Sequence, residues 1–355
     1  MIESLSLPIL LLIFVVSGVV IWFAGIKLTD TADILSTHFG LGEALGGMIL
    51  LAIVTNLPEI AITVSAALQH NMDLAIGNIL GGIALQTVVL VILDVFGLGR
   101  KDPLTYRAAS LILVLEGLMV ITVLTLVVVG NQFGPSFIYK GVSPVDLIIL
   151  LVWVLGIYMI GKARTSLPWH QLGTLPNMQK EVRGHSKKKK YDLAIKKGMG
   201  IKIVIFVFGI CSLLTLIAGV GLEVSGDAIA KQIGMTGVLF GATILAAATS
   251  LPEVSTGIAS IKLKDYQMAM SDIFGGNAFL PVLFLVATVI SGKSVLPQAH
   301  KTDIYLTALA ILLTIIYICG LIFRPRKQIL LMGVDSFLVM IIYIIGLLGL
   351  FVLAG

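Results

Sequence analysis

The chain is written as a succession of apolar runs, each 17 to 27 residues long and bounded by charges or Gly/Pro clusters. They fall at 7–26, 42–68, 74–96, 107–129, 145–161, 201–218, 235–261, 267–290, 303–323 and 332–354. Crossing a hydrocarbon core of about 30 Å takes about 20 apolar residues as helix. Lipid offers no partner to backbone N–H and C=O groups, so runs of this length satisfy them internally, as α-helices. Charged residues make up 12% of the chain and hydrophobic ones 58%, against about 25% charged in a soluble domain. The reading is an all-α polytopic membrane protein of ten transmembrane helices, its partner the lipid bilayer. The net charge of +5 does not point to nucleic acid, because the positives lie on no soluble face. The first run lacks a basic segment ahead of it and an A-x-A-like cleavage site, so it reads as the first span. Cys211 and Cys319 sit singly in apolar runs, without metal spacing, and read as packing residues.

Alternating the breaks between two sides puts 20 of the 24 Lys/Arg on one side, 11 of them in the 162–202 segment. The other side has Lys140, Lys231, Lys293 and Lys301. The positive-inside rule then places both termini outside and the 163–200 loop, with its HSKKKKYD run, in the cytoplasm of a multi-pass cell-membrane protein. That loop is a solvated topology determinant, with attraction to anionic lipid head groups as the sharper reading.

Residues 24–86 align with 218–280 at an offset of 194 without a gap. Identities include Ala24/Ala218, Gly25/Gly219, Asp33/Asp227, Gly40/Gly234, Gly47/Gly241, Thr55/Thr249 and the triplet Leu57-Pro58-Glu59/Leu251-Pro252-Glu253. Ala75/Ala269, Ile79/Ile273, Gly81/Gly275 and Gly82/Gly276 continue the match. Composition alone matches apolar letters but not Pro, Glu and Asp together, so the halves read as a duplication. Five spans separate equivalent points, and five is odd, so the second copy is inverted. The expected organisation is a first five-helix repeat over 1–162, a basic loop over 163–200 and a second, inverted repeat over 201–355. Inverted repeats are the architecture of secondary transporters, with sites near the midplane at interrupted helices.

TNLPE (55–59) and TSLPE (249–253) supply such interruptions. Proline removes one helical donor, which frees the carbonyls of Val54 and Ala248. A freed carbonyl in hydrocarbon must be satisfied, and a bound cation satisfies it. Thr55 lies one turn from Glu59, and Thr249 one turn from Glu253, so each half offers a carboxylate, a hydroxyl and a carbonyl. Two such halves supply the six to eight hard oxygens that calcium takes. The next helices add Asn78 and, at the equivalent position, Asp272. One cluster of Glu59, Glu253 and Asp272 cannot hold a divalent ion and its monovalent competitors together, which is the physical basis of exchange.

At these residues the chain resembles the cation/calcium antiporter superfamily, in particular the prokaryotic sodium/calcium exchangers. That family carries T-S-L/I-P-E followed by G-N/D-x-x-G-S-N in each repeat; here the elements read TNLPE with GNILGGI and TSLPE with SDIFGGN. The resemblance implies that Glu59 and Glu253 are the central calcium ligands, with Thr55, Asn56, Thr249, Ser250, Asn78 and Asp272 lining calcium and sodium sites. It implies alternating access by sliding of helices 1 and 6, with IWFAGIKL (21–28) and LIAGVGLE (216–223) as their exits. Three departures stand out: Asn56 for Ser, Gly82-Ile83 and Gly276-Asn277 where Ser-Asn is usual, and Ser271 for Gly. They leave the proton open as the coupling ion in place of sodium, carried by Glu59, Glu253 or Asp272.

The expected function is calcium/sodium antiport, with divalent cation/proton antiport as the alternative and a passive cation channel as a third reading. No cofactor is expected; the transported ions, calcium and sodium or the proton, are the partners. The sequence sets no oligomeric state. An intramembrane enzyme using the two glutamates as acid and base lacks a nucleophile, and neither a G-x-x-x-x-G-K-[ST] loop nor H-E-x-x-H occurs. Glu116, whose equivalent is Ala310, reads as a buried hydrogen-bonding or ion-paired group or part of a proton path. Asp94 and Glu223 read as interfacial.

Overall fold

The computed structural model describes residues 5–39, 50–133, 142–163 and 200–354. The start of the 42–68 span, Gly40 and Gly47 of the repeat, and nearly all of the 163–200 loop lie outside these. The first half runs α1 (Leu7–His38), α2 (Leu50–Thr55), α3 (Leu57–Leu68), α4 (Met72–Ile92, extended by a π turn over Leu93–Leu98), α5 (Leu104–Ala108), α6 (Leu111–Asn131) and α7 (Pro144–Ala163). The second runs α8 (Ile201–Ile233), α9 (Gly237–Phe240), a π turn (Gly241–Leu245), α10 (Ala246–Thr249), α11 (Leu251–Lys262), α12 (Tyr266–Phe279), α13 (Leu283–Ser291), α14 (Lys301–Phe323) and α15 (Val334–Ala354). A two-stranded antiparallel ribbon, β1 (Gln328–Ile329) with β2 (Met332–Gly333), leads into α15.

Among the described residues, nine helical stretches are long and apolar enough to cross a membrane, and α2 and α3 form the described part of the tenth. Leu12 and Phe23 on α1, Leu151 and Met159 on α7, Phe206 on α8 and Leu348 on α15 are exposed, which is how a lipid-facing surface is built. α4 and α12 are mostly buried and form the centre.

Two spans are longer than the sequence suggested. The expected ends at residues 26 and 218 rested on Lys27 and on the Gly/Glu-containing LIAGVGLE. Neither breaks the helix: α1 continues to His38 and α8 to Ile233, where Gly234 takes a left-handed conformation at φ 73°. IWFAGIKL and LIAGVGLE are therefore mid-helix segments, not exits. Glu223 is fully buried rather than interfacial, and its Oε2 accepts from Ser65 Oγ at 2.7 Å and Gln69 Nε2 at 2.5 Å. Asp94 is likewise fully buried. It accepts from Leu104 N at 2.9 Å, Gly333 N at 2.6 Å and Ser336 Oγ at 2.8 Å, tying the end of the α4 span to α5 and to the start of α15.

The prolines break their helices where expected. α2 ends at Thr55 and α3 resumes at Leu57 with Asn56 between; α10 ends at Thr249 and α11 resumes at Leu251 with Ser250 between. Each proline stands in the first turn of the resumed helix, where its missing N–H costs nothing. α1 and α8 lie along one another, α1 against α11 and α8 against α3, so each long helix rides on the interrupted helix of the other half. The contact is repeat-symmetric at atomic detail. A Cβ added at Gly25 would stand 3.0 Å from the Pro252 ring, and one at Gly219 would stand 2.6 Å from Ala61 Cβ and 3.1 Å from the Pro58 carbonyl.

Overpacking of this kind costs about 1–3 kcal/mol. Gly219→Val is expected to lower the thermal unfolding temperature of the purified protein, while Gly209→Val on the same helix, where a Cβ meets nothing within 4 Å, leaves it unchanged. Equal behaviour of the two variants would refute the close contact.

Candidate functional site

The two helix breaks meet in the centre of the bundle. α2 packs on α12, and α10 packs on α4, so each break faces the polar helix of the opposite half. Glu59 is 0% and Glu253 2% exposed. Glu253 lies near enough to Glu59 and Asp272 to feel both charges. Thr249 stands near the Glu59 carboxylate, so the hydroxyl that the sequence pairs with Glu253 of its own half also lies beside the acid of the other.

The polar groups are arranged to leave oxygens open. Glu59 Oε1 takes one hydrogen bond, from Gln86 Nε2 at 3.3 Å, and Oε2 takes none; both oxygens of Glu253 and both amide atoms of Asn78 lack a hydrogen-bond partner among the described residues. Asp272 accepts from Thr256 Oγ1 at 3.0 Å. Thr249 and Ser250 both donate to the Ala246 carbonyl, at 3.2 and 2.8 Å, which turns their lone pairs away from that bond. The carbonyls of Val54 and Ala248 have no proline N–H to receive. Among the described residues no Lys or Arg forms an ion pair with Glu59 or Glu253. Nor do three acidic, His or Cys side chains close into a metal cage among them. A cation held here therefore draws on hydroxyl, amide and carbonyl oxygens as well as carboxylates, the ligand set of a hard ion.

Asn56 sits at the α2–α3 break, 1% exposed, with Nδ2 3.5 Å from Thr55 Oγ1. A Cβ added at Gly276 of α12 would stand 2.9 Å from Asn56 Nδ2. Two of the departures noted in the sequence are thus one spatial exchange. The larger amide at 56 occupies the room that a serine at 276 would fill.

Sequence reading missed Gln86, Thr63, Thr256 and Asn277. Gln86 lies two turns beyond Asn78 and Thr63 one turn beyond Glu59, so helical spacing alone could have found them. Their equivalents 194 residues on are Leu280 and Gly257, which hid them from a search by repeat. Asn277 Nδ2 donates to Thr87 Oγ1 at 3.2 Å and lies 3.4 Å from the Ile83 carbonyl, joining α12 to α4. Ser271 is buried on α12, on the turn that carries Asp272. Glu116 is buried in a separate cavity between α6, α7 and α12, lined by Met119, Trp153, Ile157 and Phe274 and by neither LPE helix.

A family model described as "Sodium/calcium exchanger protein" matches residues 9–162 and 202–352. The chain is 26% identical over 293 residues to the inner membrane protein YrbG of Escherichia coli (strain K12), covering 82% of this chain and 83% of that protein. It is 24% identical over 307 residues to the putative antiporter CaxA of Alkalimonas amylolytica, covering 84% and 87%. Its fold resembles the crystal structure of the H+/Ca2+ exchanger CAX, with TM-score 0.68 at 15% identity over 96% of this chain and 82% of that one. It also resembles the sodium-calcium exchanger NCX_Mj, with TM-score 0.59 at 17% identity over 97% and 99%. The ten-span inverted-repeat fold is thereby shared.

The exchange between positions 56 and 276 is testable as a cycle. Gly276→Ser alone is expected to destabilise by about 1–3 kcal/mol through overpacking, and Asn56→Ser/Gly276→Ser to recover most of that in thermal unfolding. Additive losses in the double variant would show that the two positions do not share space.

Proposed function

Because the chain belongs to the sodium/calcium exchanger family, we propose that it is a secondary antiporter that exchanges calcium for sodium by alternating access. The observation that carries this reading is the pair of buried carboxylates, Glu59 and Glu253. One comes from each inverted half, and three of their four oxygens have no hydrogen-bond partner among the described residues. Burying such groups is costly unless a charge compensates them. Glu59 and Glu253 are the central calcium ligands, Thr55, Asn56, Thr249, Ser250, Asn78 and Asp272 line the site, and the Val54 and Ala248 carbonyls complete it. Gln86 orients Glu59, and Thr256 orients Asp272.

Exchange follows from charge. Glu59, Glu253 and Asp272 favour any small cation, and a calcium ion and several sodium ions cannot share the same oxygens. α1 and α8 slide as a pair across α11 and α3, with the smooth faces at Gly25 and Gly219 as bearing surfaces on Pro252 and Pro58. The halves are residues 1–162 and 201–355, both termini lie outside, and the basic 163–200 segment is cytoplasmic. Calcium/proton exchange is the second reading. It is favoured by the glycines and isoleucine of the Gly81-Gly82-Ile83 tail, which offer no side-chain oxygen for a set of sodium ions.

Purified protein in calcium-free vesicles separates these. An imposed outward sodium gradient is expected to drive tracer calcium uptake, and a pH gradient alone is not; the opposite result selects the proton. Glu253→Gln is expected to reduce uptake at least 100-fold in protein of unchanged elution volume. Near-normal uptake by this variant would remove Glu253 from the site. Calcium flux with neither counter-ion gradient would indicate a channel.

A further inference from the structure

The buried Asp94, described above as a tie between spans, faces a second carboxylate. Asp335 opens α15, is 5% exposed, and stands close enough to Asp94 for their charges to interact. One of these acids comes from each half of the chain. We infer that this end of the bundle, which the proposed orientation places at the cytoplasm, carries a second cation site. It is built from Asp94, Asp335 and Thr105 and takes a divalent cation.

Three observations carry the inference. The first is the contrast between the two acids. Asp94 takes three hydrogen bonds, from Leu104 N, Gly333 N and Ser336 Oγ, which hold its carboxylate in place. Thr105 and the amides of Asp335 and Ser336 face Asp335, yet neither of its oxygens meets a donor at hydrogen-bond geometry, and neither does Thr105 Oγ1, 1% exposed. A buried acid and a buried hydroxyl thus turn toward one another with their bonding capacity unspent, where buried polar groups are normally paired.

The second is the space. Asp335 lies between Gly320 of α14 and Gly333 of β2, and a Cβ at either glycine would run into its carboxylate. Glycine at both positions lets the backbone come up to the acid, and the same Cβ at Gly333 would stand 3.2 Å from Asp94 Oδ2, so the two carboxylates border one spot.

The third is the absence of a protein counter-charge. The guanidinium groups of this end bond Tyr106 and Tyr266, with Nε of Arg107 and of Arg324 left without a partner among the described residues. Arg324 donates to the Tyr106 carbonyl at 2.8 Å and lies over its ring, Arg326 pairs with the Tyr106 hydroxyl over the same ring, and Arg107 bonds Tyr266 Oη and Asp102. None forms an ion pair with Asp94 or Asp335 among the described residues.

The opposite end of the bundle supplies an internal control. The residue equivalent to Asp94 is Thr288, which accepts from Val295 N at 3.2 Å and lies 3.5 Å from Asp146, the buried acid that opens α7. The same joint there holds one carboxylate and a hydroxyl. Among the described residues the second acid is present at the inner joint and not at the outer one, so the joint does not need it for packing. Two carboxylates and a hydroxyl match a divalent ion in charge and ligand type, with water completing the six to eight oxygens.

The test is equilibrium binding of radioactive calcium to the purified full-length protein in detergent. Glu59→Gln/Glu253→Gln removes the central acids and is expected to leave one bound calcium per chain. Adding Asp335→Asn to that background is expected to abolish the remaining ion, and adding Thr105→Val to weaken it about tenfold, near the scale of one lost bond to a charged group. If Asp335→Asn does not elute as a monodisperse species, Thr105→Val decides. No binding to the double glutamine variant, or a residual ion indifferent to both further changes, overturns the inference. Full binding by the double glutamine variant instead overturns the central site, and loss of one ion on Asp335→Asn in the unaltered protein still counts for the inner one.

Discussion

A proline in the middle of an apolar helix leaves a carbonyl that hydrocarbon cannot satisfy, and the architecture is arranged around two of them. Each break is held at the centre because a helix from the other half presses a glycine onto the proline: Gly25 on Pro252 and Gly219 on Pro58. That reciprocal contact does two jobs. It brings the free carbonyls and their neighbouring acids to a shared interior rather than to lipid. It also brings α1 and α8 up against α11 and α3 at glycines, where the helices approach most closely.

The central acids are poorly satisfied by the protein. Glu253 has no hydrogen-bond partner for either oxygen among the described residues, while Glu59 has Gln86 and Thr249 beside it. The halves are therefore equal in backbone and unequal in electrostatics. The same division recurs at the two ends of the bundle, where Asp94 in one half stands where the other has Thr288. Duplication set the frame, and single substitutions within it decided where charge resides.

The frame was legible in the sequence because it depends on few, emphatic signals. Apolar runs mark the spans, and Leu-Pro-Glu at a constant offset marks the inversion. Helix ends were less legible. Lys27 and Glu223 read as interface markers by residue type, but each is a competent helix former, and Glu223 is accommodated by Ser65 and Gln69, which lie 158 and 154 residues away in sequence. Asp94 was misread for the same reason, since its three donors come from α5, β2 and α15. The asymmetric members of the centre, Gln86, Thr63, Thr256 and Asn277, were invisible to a comparison of halves because each faces an apolar residue or glycine at the equivalent position. The nearness of Thr249 to Glu59 follows from how the two breaks face one another, which no spacing along one helix encodes.

The length of α1 and α8 has an outcome of its own. At 32 and 33 residues each helix is about 48 Å long at 1.5 Å per residue, against an apolar layer of about 30 Å. Rods that exceed the thickness of their solvent lean, and the angle of lean follows the thickness. Since these two rods lie against each other, a thinner or thicker membrane tilts them together. Acyl-chain length in the host membrane thereby becomes a mechanical input to the packing of the two halves.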